Sequence, residues 1–431
     1  MSGFAIVLGA VGVIGLLAAG APVAIAIGLA VALYIVMGTQ VPPIIIAQMM
    51  ASGADSFPLL AIPFFLLAGI LMNTSGITQR LFDFAGCLVR HIPGGLGHVN
   101  VVASMIFAGM SGSAVADAAG LGVVEIKAMR KHGYDDEFSG AITVASSTIG
   151  PVIPPSIIFV IYGVLAEVSV GALFLAGLVP GLLMGAALMV QVYRIAKRRN
   201  YPTLPRATWR ELLLSLRRAT LPLLTPFIII GGIVSGAFTP TEAAVVAVAY
   251  AFLLGFVIYR ELSWKSLWNA LHTTAVQTAT IMFITAVASV LGWALAQGRV
   301  PQQLADVVLS LTSQPWLVLL LINVLLLVVG CFMEVIASLL ILTPILVPVI
   351  KAVGIDPVHF GVVMTLNLMI GLTTPPMGMS LYVVQQISGI PFDRLVRGVV
   401  PFLISLVVVL LVVTYVPAFS LALPQAVLGN R

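Results

Sequence analysis

Residues 146–156 read Ser-Ser-Thr-Ile-Gly-Pro-Val-Ile-Pro-Pro-Ser, and they interrupt an apolar run that extends from residue 138 to 165. Proline removes a backbone donor and clashes with the preceding helical turn, so two consecutive prolines open a helix rather than bend it. A second interruption, Gly371-Leu-Thr-Thr-Pro-Pro376, divides the run 357–388. Irregular backbone at membrane depth is tolerated only inside protein or against an aqueous cavity. The sequence therefore predicts two discontinuous helices enclosed by protein.

The composition is that of a chain that crosses a lipid bilayer. Hydrophobic residues make up 60% of the 431 residues and charged residues only 8%, whereas a soluble domain carries about 25% charged residues. The apolar runs are continuous rather than alternating, which favours membrane-spanning helices over a barrel. The net charge of +5 resides in a few interhelical segments, so it indicates membrane orientation and not nucleic-acid binding. Cys87 and Cys331 suggest no disulfide framework, and no cleaved signal peptide is expected at Met1.

The two breaks belong to an internal repeat with a constant separation of 221 residues. The pairs are Gly109 and Gly330, Asp135 and Asp356, Gly140 and Gly361, Gly150 and Gly371, Pro154 and Pro375, Pro155 and Pro376, Gly177 and Gly398, and Pro180 and Pro401. Counting crossings from the basic segment 194–218, taken as cytoplasmic, places Arg130 inside and its partner Lys351 outside. The copies then have opposite orientation, and inverted repeats with broken helices are a transporter architecture. About ten full crossings result if 97–128 and 316–351 are hairpins that enter and return on one side.

These features predict an all-α polytopic inner-membrane protein with two re-entrant hairpins and two discontinuous helices. Short amphipathic stretches at 77–92 and 299–312 are expected to be arm helices at the membrane interface. The expected division is 1–96 as scaffold and first arm, 97–193 as the first transport half, 194–218 as a cytoplasmic connector, 219–314 as scaffold and second arm, 315–393 as the second transport half, and 394–431 as the last helix and tail.

Four segments carry hydroxyls, small residues or acids that can form a binding site. Ser111-Gly-Ser113 lies at the tip of the first hairpin, where hydroxyls and freed carbonyls can replace the water shell of a hard cation. Ser147, Thr148 and Ser156 flank the first break, whose helix ends suit a carboxylate and Na⁺. The alternative interpretations are a small-residue helix contact and hydroxyls bonded back to their own carbonyls.

The second copy offers a carboxylate where the first has serines. Glu334 is the one acid in a long apolar stretch, and an intramembrane carboxylate is a candidate functional residue; the alternative is an acid at the hairpin mouth that reaches the interface. Glu242 differs, because Thr239 or Thr241 could cap a helix whose dipole Glu242 complements. The five histidines lie near predicted helix ends without metal-ligand spacing, and we interpret them as interfacial.

On these segments the sequence resembles the large membrane subunit of tripartite ATP-independent periplasmic (TRAP) transporters over essentially its whole length. The most specific stretches are Ser111-Gly-Ser-Ala-Val-Ala-Asp117, Ser147-Thr-Ile-Gly-Pro-Val-Ile-Pro-Pro-Ser156, Gly236-Ala-Phe-Thr-Pro-Thr-Glu-Ala-Ala244 and Asn367-Leu-Met-Ile-Gly-Leu-Thr-Thr-Pro-Pro-Met-Gly378. The resemblance implies a sodium-coupled elevator mechanism, with no cofactor other than the coupling ion Na⁺. It also implies a periplasmic substrate-binding protein and a small membrane subunit, here expected to be a separate four-helix chain.

Each hairpin tip and its broken helix are expected to form one half of the site. The predicted sodium-binding residues are Ser111, Gly112, Ser113, Thr148, Gly150, Glu334, Gly371, Thr373 and Thr374. The predicted substrate-binding residues are Asp117, Ser147, Pro154, Pro155, Ser156, Asn367, Pro375 and Pro376. The second ion site departs from the Ser-Asn-Thr type of tip seen in related sodium–carboxylate carriers, because Met333-Glu334-Val335 stands there.

Two other functions are compatible with parts of the sequence. A standalone sodium-coupled organic-anion carrier would share the inverted repeat and differ only in needing no partners. An intramembrane serine protease would use Ser111 in Gly109-Met-Ser-Gly112, but it needs a histidine base on another helix, and no Ala-His-x-x-Gly segment exists here. The expected cargo is a C4-dicarboxylate, sialic acid, or another acid sugar or keto acid.

Overall fold

A computed structural model describes residues 15–16, 21–38, 41–312, 314–376 and 378–429. Within these ranges every regular element is helical, which confirms the all-α prediction. The apolar stretch 4–19, which the sequence also predicts to be helical, lies almost entirely outside the described residues. Long apolar sequences form helices in lipid because a helix satisfies its own backbone donors and acceptors.

The described helices are numbered here in chain order. They are α1 (Val23–Gly38), α2 (Ile44–Ala54), α3 (Ala61–Thr74), α4 (Ile77–Val89), α5 (Gly95–Ser111), α6 (Ala114–Lys131), α7 (Asp136–Ser147), α8 (Ile157–Ala166), α9 (Val170–Arg199), α10 (Trp209–Val234), α11 (Pro240–Phe252), α12 (Trp264–Gln297), α13 (Val300–Leu311), α14 (Pro315–Phe332), α15 (Val335–Ala352), α16 (Pro357–Gly371), α17 (Met379–Ser388), α18 (Phe392–Tyr415) and α19 (Ala418–Leu428). A 3-10 turn (Phe57–Leu60) precedes α3, and a π-helical turn (Leu253–Ile258) follows α11.

Eight helical segments of the described chain are long and apolar enough to cross a membrane. The two interrupted runs are not among them, because each break divides its run into pieces of 10 to 15 residues. The first run ends as α7 and resumes as α8, and the second ends as α16 and resumes as α17. The prediction of two discontinuous helices is therefore confirmed.

Two helix pairs are joined by very short turns. The first hairpin is α5–α6, connected at Gly112-Ser113, and the second is α14–α15, connected at Met333-Glu334. Both ends of the first hairpin meet at the same place, because the Leu96 N–H donates to the Tyr134 hydroxyl just beyond α6. We call residues 148–156 the first break and residues 372–378 the second break.

Hydrogen bonds join loops at each end of the helices. Arg199 at the end of α9 donates to Asp135 at 2.7 Å, and Arg130 at the end of α6 donates to the Ser388 carbonyl at the end of α17. At the other end, the Tyr162 hydroxyl donates to the Pro357 carbonyl at 2.7 Å. The ends of α6, α9 and α17 therefore lie together, and the end of α8 lies beside the start of α16; the membrane side of each group stays a prediction.

The predicted arm stretches form the separate short helices α4 and α13. Arg80 on α4 pairs with Glu261 at 2.6 Å, and its guanidinium lies 3.9 Å from the centre of the Tyr259 ring. Arg90, just after α4, pairs with Glu211 at the start of α10 at 2.9 Å. Charged contacts thus fix both ends of the first arm to neighbouring helices.

Candidate functional site

The tip of the first hairpin is a tight turn between two helices. Gly112 ends α5 in the left-handed region, with φ of +58°, a conformation that costs glycine little. Ser113 begins α6, and its hydroxyl accepts from the Ala116 N–H at 3.3 Å, a standard N-cap contact. The Ser111 hydroxyl is buried, and no hydrogen bond within the described chain satisfies it. The tip therefore holds one free buried oxygen beside a helix N-terminus.

The first break packs directly against this tip. A Cβ atom added to Gly112 would lie 2.5 Å from the Pro155 carbonyl oxygen, and one added to Gly150 would lie 3.4 Å from the Ser113 carbonyl carbon and oxygen. The Pro154-Pro155 peptide is cis, and Ser156 then caps α8 by accepting from the Phe159 N–H at 3.1 Å. The structure thus brings together the residues predicted to form the first half of the site.

The hydroxyls around the first break are bonded to their own helix. Ser147 donates to the Val144 carbonyl at 2.9 Å, and Thr148 donates to the Ala145 carbonyl at 2.6 Å. This is the arrangement of the alternative interpretation, in which such hydroxyls close local backbone contacts. A donating hydroxyl keeps lone pairs that can accept or coordinate, so both roles are compatible with the geometry.

The second hairpin and the end of α16 meet through two glycines. A Cβ atom added to Gly371 would lie 2.6 Å from the Gly330 Cα atom, so the backbones touch where α14 passes the end of α16. Thr373 and Thr374 both donate to the Ile370 carbonyl, at 2.8 and 2.7 Å. The Pro375-Pro376 peptide is cis, as in the first copy. The second hairpin therefore contacts the end of α16 directly before the second break.

The Glu334 carboxylate caps its own helix. It accepts from the Ala337 N–H at 3.0 Å at the start of α15, where a negative charge complements the helix dipole. No hydrogen bond among the described residues joins Glu334 to Thr373 or Thr374, and its assignment as a sodium ligand stays a prediction. The interpretation of Glu242 is confirmed, because Thr239 and Glu242 form a complete capping box at the start of α11.

The remaining predicted substrate residues are deeply placed. Asp117 is 1% exposed, and both of its carboxylate oxygens lack a hydrogen bond, although the Ser104 hydroxyl lies beside them. Asn367 is fully buried and donates to the Asn323 carbonyl and side chain, at 3.0 and 2.8 Å. Of all the residues predicted to bind substrate, Pro376 is the one that is exposed and Pro375 is half-buried.

A polar network inside the first hairpin was not predicted. Asn100 on α5 donates to Glu125 on α6 at 2.6 Å and to Thr143 on α7 at 2.8 Å, and Ser146 donates to the Asn100 side chain at 2.6 Å. Its sequence signal is weak, because it consists only of single polar residues within apolar helices. Such residues are costly in a membrane and mark functional sites by default.

The histidine interpretation was wrong at two positions. His98 and His359 are each only 2% exposed. His359 bonds the Ser420 hydroxyl at 2.7 Å and the Thr414 carbonyl at 3.2 Å. Both histidines lie in the first turn of a helix, but they are enclosed by protein because neighbouring helices cover those ends.

The fold and the paired tip-and-break geometry define a multi-pass membrane transporter. The family of the tripartite ATP-independent periplasmic transporter, DctM component, matches residues 10–419 of this chain. The chain belongs to this family. It is therefore an inner-membrane large permease subunit, a transporter and not an enzyme.

Named relatives agree with this assignment. The chain is 53% identical over 418 residues to the sialic acid TRAP transporter large permease protein SiaM of Vibrio cholerae, covering 97% of this chain and 98% of that one. It is 45% identical over 372 residues to the C4-dicarboxylate large permease DctM of Pseudomonas aeruginosa, covering 86% and 87%. For the longer permease SiaT of Haemophilus influenzae the identity is 47% over 371 residues, and the match covers 86% of this chain and 60% of that protein.

Solved structures share the fold, among them the YdaH transporter of Alcanivorax borkumensis, with a TM-score of 0.65 and 15% identity; the match covers 87% of each chain. At this identity the likeness concerns the fold alone.

Proposed function

We propose that the chain takes up a small organic acid by sodium symport, using an elevator movement of its two hairpins and broken helices. The observation that carries the proposal is the close approach of each hairpin to its own broken helix, through Gly112 and Pro155 in one copy and Gly330 and Gly371 in the other. Two such half-sites in opposite orientation can be opened to either side of a membrane. The hairpins would then be re-entrant.

The proposed cargo is a carboxylate or a similar acid. Relatives are named for sialic acid, C4-dicarboxylates and 2,3-diketo-L-gulonate, all organic acids. Helix N-termini suit such anions, since backbone N–H groups and the dipole favour negative charge. Ser113 is the N-cap of α6 at the first hairpin tip, and Ser156 is the N-cap of α8 at the end of the first break.

The proposed coupling ion is Na⁺, held by oxygen atoms. The Ser111 and Ser113 hydroxyls and the carbonyls around Gly150 are candidate ligands in the first half, and the end of α16 with Thr373 and Thr374 supplies carbonyls and hydroxyls in the second. A hard cation needs several oxygen ligands together. The proposed partners are a small four-helix membrane subunit, as a separate chain, and a periplasmic binding protein that delivers the acid.

The test is uptake into proteoliposomes that contain the chain, the small subunit and the loaded binding protein. An inward Na⁺ gradient should drive accumulation, and replacing Na⁺ with K⁺ should abolish it. Uptake that follows ATP or a proton gradient without Na⁺ would overturn the sodium assignment. Full uptake by the purified chain alone would favour the standalone carrier.

A topology experiment tests the inverted arrangement. Cysteines replacing Arg130 and Lys351, in a chain lacking Cys87 and Cys331, should react with impermeant reagents from opposite membrane faces. A cysteine replacing Lys131, beside Arg130 at the end of α6, serves as a control, because it should label from the same face as position 130. Labelling of positions 130 and 351 from one face would contradict the inverted repeat.

A further inference from the structure

A cavity of about 240 Å³ lies where the ends of three helices meet, and its lining includes no residue of either hairpin tip. It is lined by Glu137, Phe138, Gln191, Ile195, Arg198, Arg199, Arg397, Gly398, Pro401 and Phe402. Glu137 lies ten residues before the end of α7, which is about 15 Å of helix from the first break. The cavity is therefore distinct from the proposed transport site.

The lining carries an excess of positive charge. The Arg199 side chain is bonded to Asp135. The guanidinium groups of Arg198 and Arg397 make no hydrogen bond or ion pair with any described residue. Glu137 is the one carboxylate on the cavity wall. A guanidinium presents a planar fork of donors that matches a phosphate group. Two unpaired guanidiniums facing one cavity therefore indicate an anion with phosphate chemistry.

An apolar surface continues from the cavity along α18. Arg397, Pro401, Ile404 and Val408 are spaced by four, three and four residues, so they lie on one face of the helix. Ile404 is 62% exposed and Val408 is 54% exposed. This stripe runs from the charged end of α18 towards the middle of the helix, and an acyl chain can cover it, whereas a soluble anion cannot.

We propose that this cavity binds the headgroup of an anionic phospholipid, whose acyl chain lies along the α18 stripe. The ends of α9 and α18 carry the basic residues that the positive-inside rule assigns to the cytoplasm, so the lipid belongs to the inner leaflet. Basic pockets between membrane helices at this level suit phosphate-bearing headgroups. The site does not depend on the proposed sodium coupling.

The experiment measures thermal unfolding of the purified chain in a neutral detergent with added lipid. Phosphatidylglycerol should raise the midpoint, because a ligand that binds only the folded state stabilises it. Phosphatidylcholine with the same acyl chains and inorganic phosphate should each have little effect. Equal stabilisation by phosphatidylcholine would show that the headgroup charge is not recognised and would overturn the proposal. Equal stabilisation by inorganic phosphate would also overturn it, because the ligand would then be a soluble anion and not a lipid.

Variants locate the effect. The double variant Arg198→Gln/Arg397→Gln should weaken apparent phosphatidylglycerol affinity by at least about tenfold, since two charge-assisted contacts are lost. Arg210→Gln removes the same charge from α10, outside the cavity, and should behave as the wild type. Ile404→Ser should weaken lipid binding with both arginines intact, which also covers the case in which the double variant does not fold. Unchanged affinity in the double variant or in Ile404→Ser would overturn the proposal.

Discussion

The two breaks have similar sequences but different surroundings. Every residue of the first break is buried, whereas Thr374 and Pro375 in the second are half-buried and Pro376 is exposed. The first tip turns through Gly112 and is capped by a serine, whereas the second turns through extended backbone and is capped by Glu334. The Gly-x3-Pro-Pro pattern opens both helices, but their neighbours decide which break is accessible.

The polar networks of the two hairpins also differ in composition. In the first copy, Asn100 donates a hydrogen bond to the carboxyl group of Glu125. In the second copy, Asn323 accepts from Asn367 and donates to Thr414 at 3.1 Å. Each network ties the first helix of a hairpin to buried polar side chains. Among these described residues only Glu125 is acidic. Removing the asparagine should therefore lower the free energy of unfolding more in the first hairpin than in the second.

The largest expected effect comes from filling the contact between the first tip and the first break. Gly112→Ala adds a methyl group 2.5 Å from the Pro155 carbonyl oxygen, at a φ of +58°. The Pro155 carbonyl is backbone and the methyl group is fixed to the Gly112 Cα atom, so neither can rotate aside and the tip must move away from the break. We expect uptake to fall by about a hundredfold, the size of effect that a displacement of about 1 Å has at other preorganised sites.

Gly133→Ala is the matched control. Its φ is +80°, and no heavy atom would lie within 4 Å of the new Cβ atom, so it carries only the left-handed strain of about 1–2 kcal/mol. Gly371→Ala extends the test to the second copy, with Gly231→Ala as its uncrowded control. If Gly112→Ala transports as well as Gly133→Ala, the tip does not rest on the break during transport.

The next effect concerns the stability of the two networks. Asn100→Leu removes the donor to a buried acid and should lower the free energy of unfolding by about 3 kcal/mol. Asn323→Leu leaves only neutral groups without partners and should cost about 1–2 kcal/mol. Denaturant titration in detergent measures both. A double variant, Asn100→Leu/Glu125→Leu, should recover part of the loss; equal costs for the two single variants would contradict the proposed difference.

The Na⁺ dependence of uptake tests one side chain in each half of the proposed site. Ser113→Ala and Thr374→Ala should raise the Na⁺ concentration for half-maximal uptake by about five- to hundredfold, because each removes a polar contact of about 1–3 kcal/mol. Ser263→Ala, which removes a similar helix cap, and Thr220→Ala, which removes a similar bond to a helix carbonyl, are the controls. Unchanged sodium dependence in both test variants would assign the ions to backbone carbonyls or to another place.

The sequence predicts the features that are local in the chain. Pro154-Pro155 and Pro375-Pro376 open their helices because the missing N–H groups act within one turn, and Thr239-Pro-Thr-Glu242 is a capping box for the same local reason. The contact between Asn100 and Glu125 joins residues 25 positions apart, and nothing near either residue indicates it. Burial of His98 and His359 depends on which helices cover them, which is a property of the whole fold.

The smallest expected effect distinguishes two helix caps that are related by the internal repeat, Asp135 on α7 and Asp356 on α16. Asn replaces Asp well as an N-cap, so Asp356→Asn should be nearly neutral at pH 7. Asp135→Asn also removes an ion pair with Arg199 and a bond from Tyr201. The pair is partly exposed, so the cost should be below about 1 kcal/mol.

The pH dependence gives this small effect its own signature. Burial opposes ionisation of Asp135, but bonds from Tyr201, the Phe138 N–H and Arg199 outweigh it and hold the pKa of Asp135 below its usual range. A lowered folded-state pKa stabilises the protein above the unfolded-state pKa, and this stabilisation is lost as the pH falls through the folded-state value. The difference in unfolding midpoint between wild type and Asp135→Asn should therefore be present at neutral pH and shrink on acidification. A difference that stays constant down to the pH at which Asp135 is protonated would mean that the charge of Asp135 contributes nothing to it.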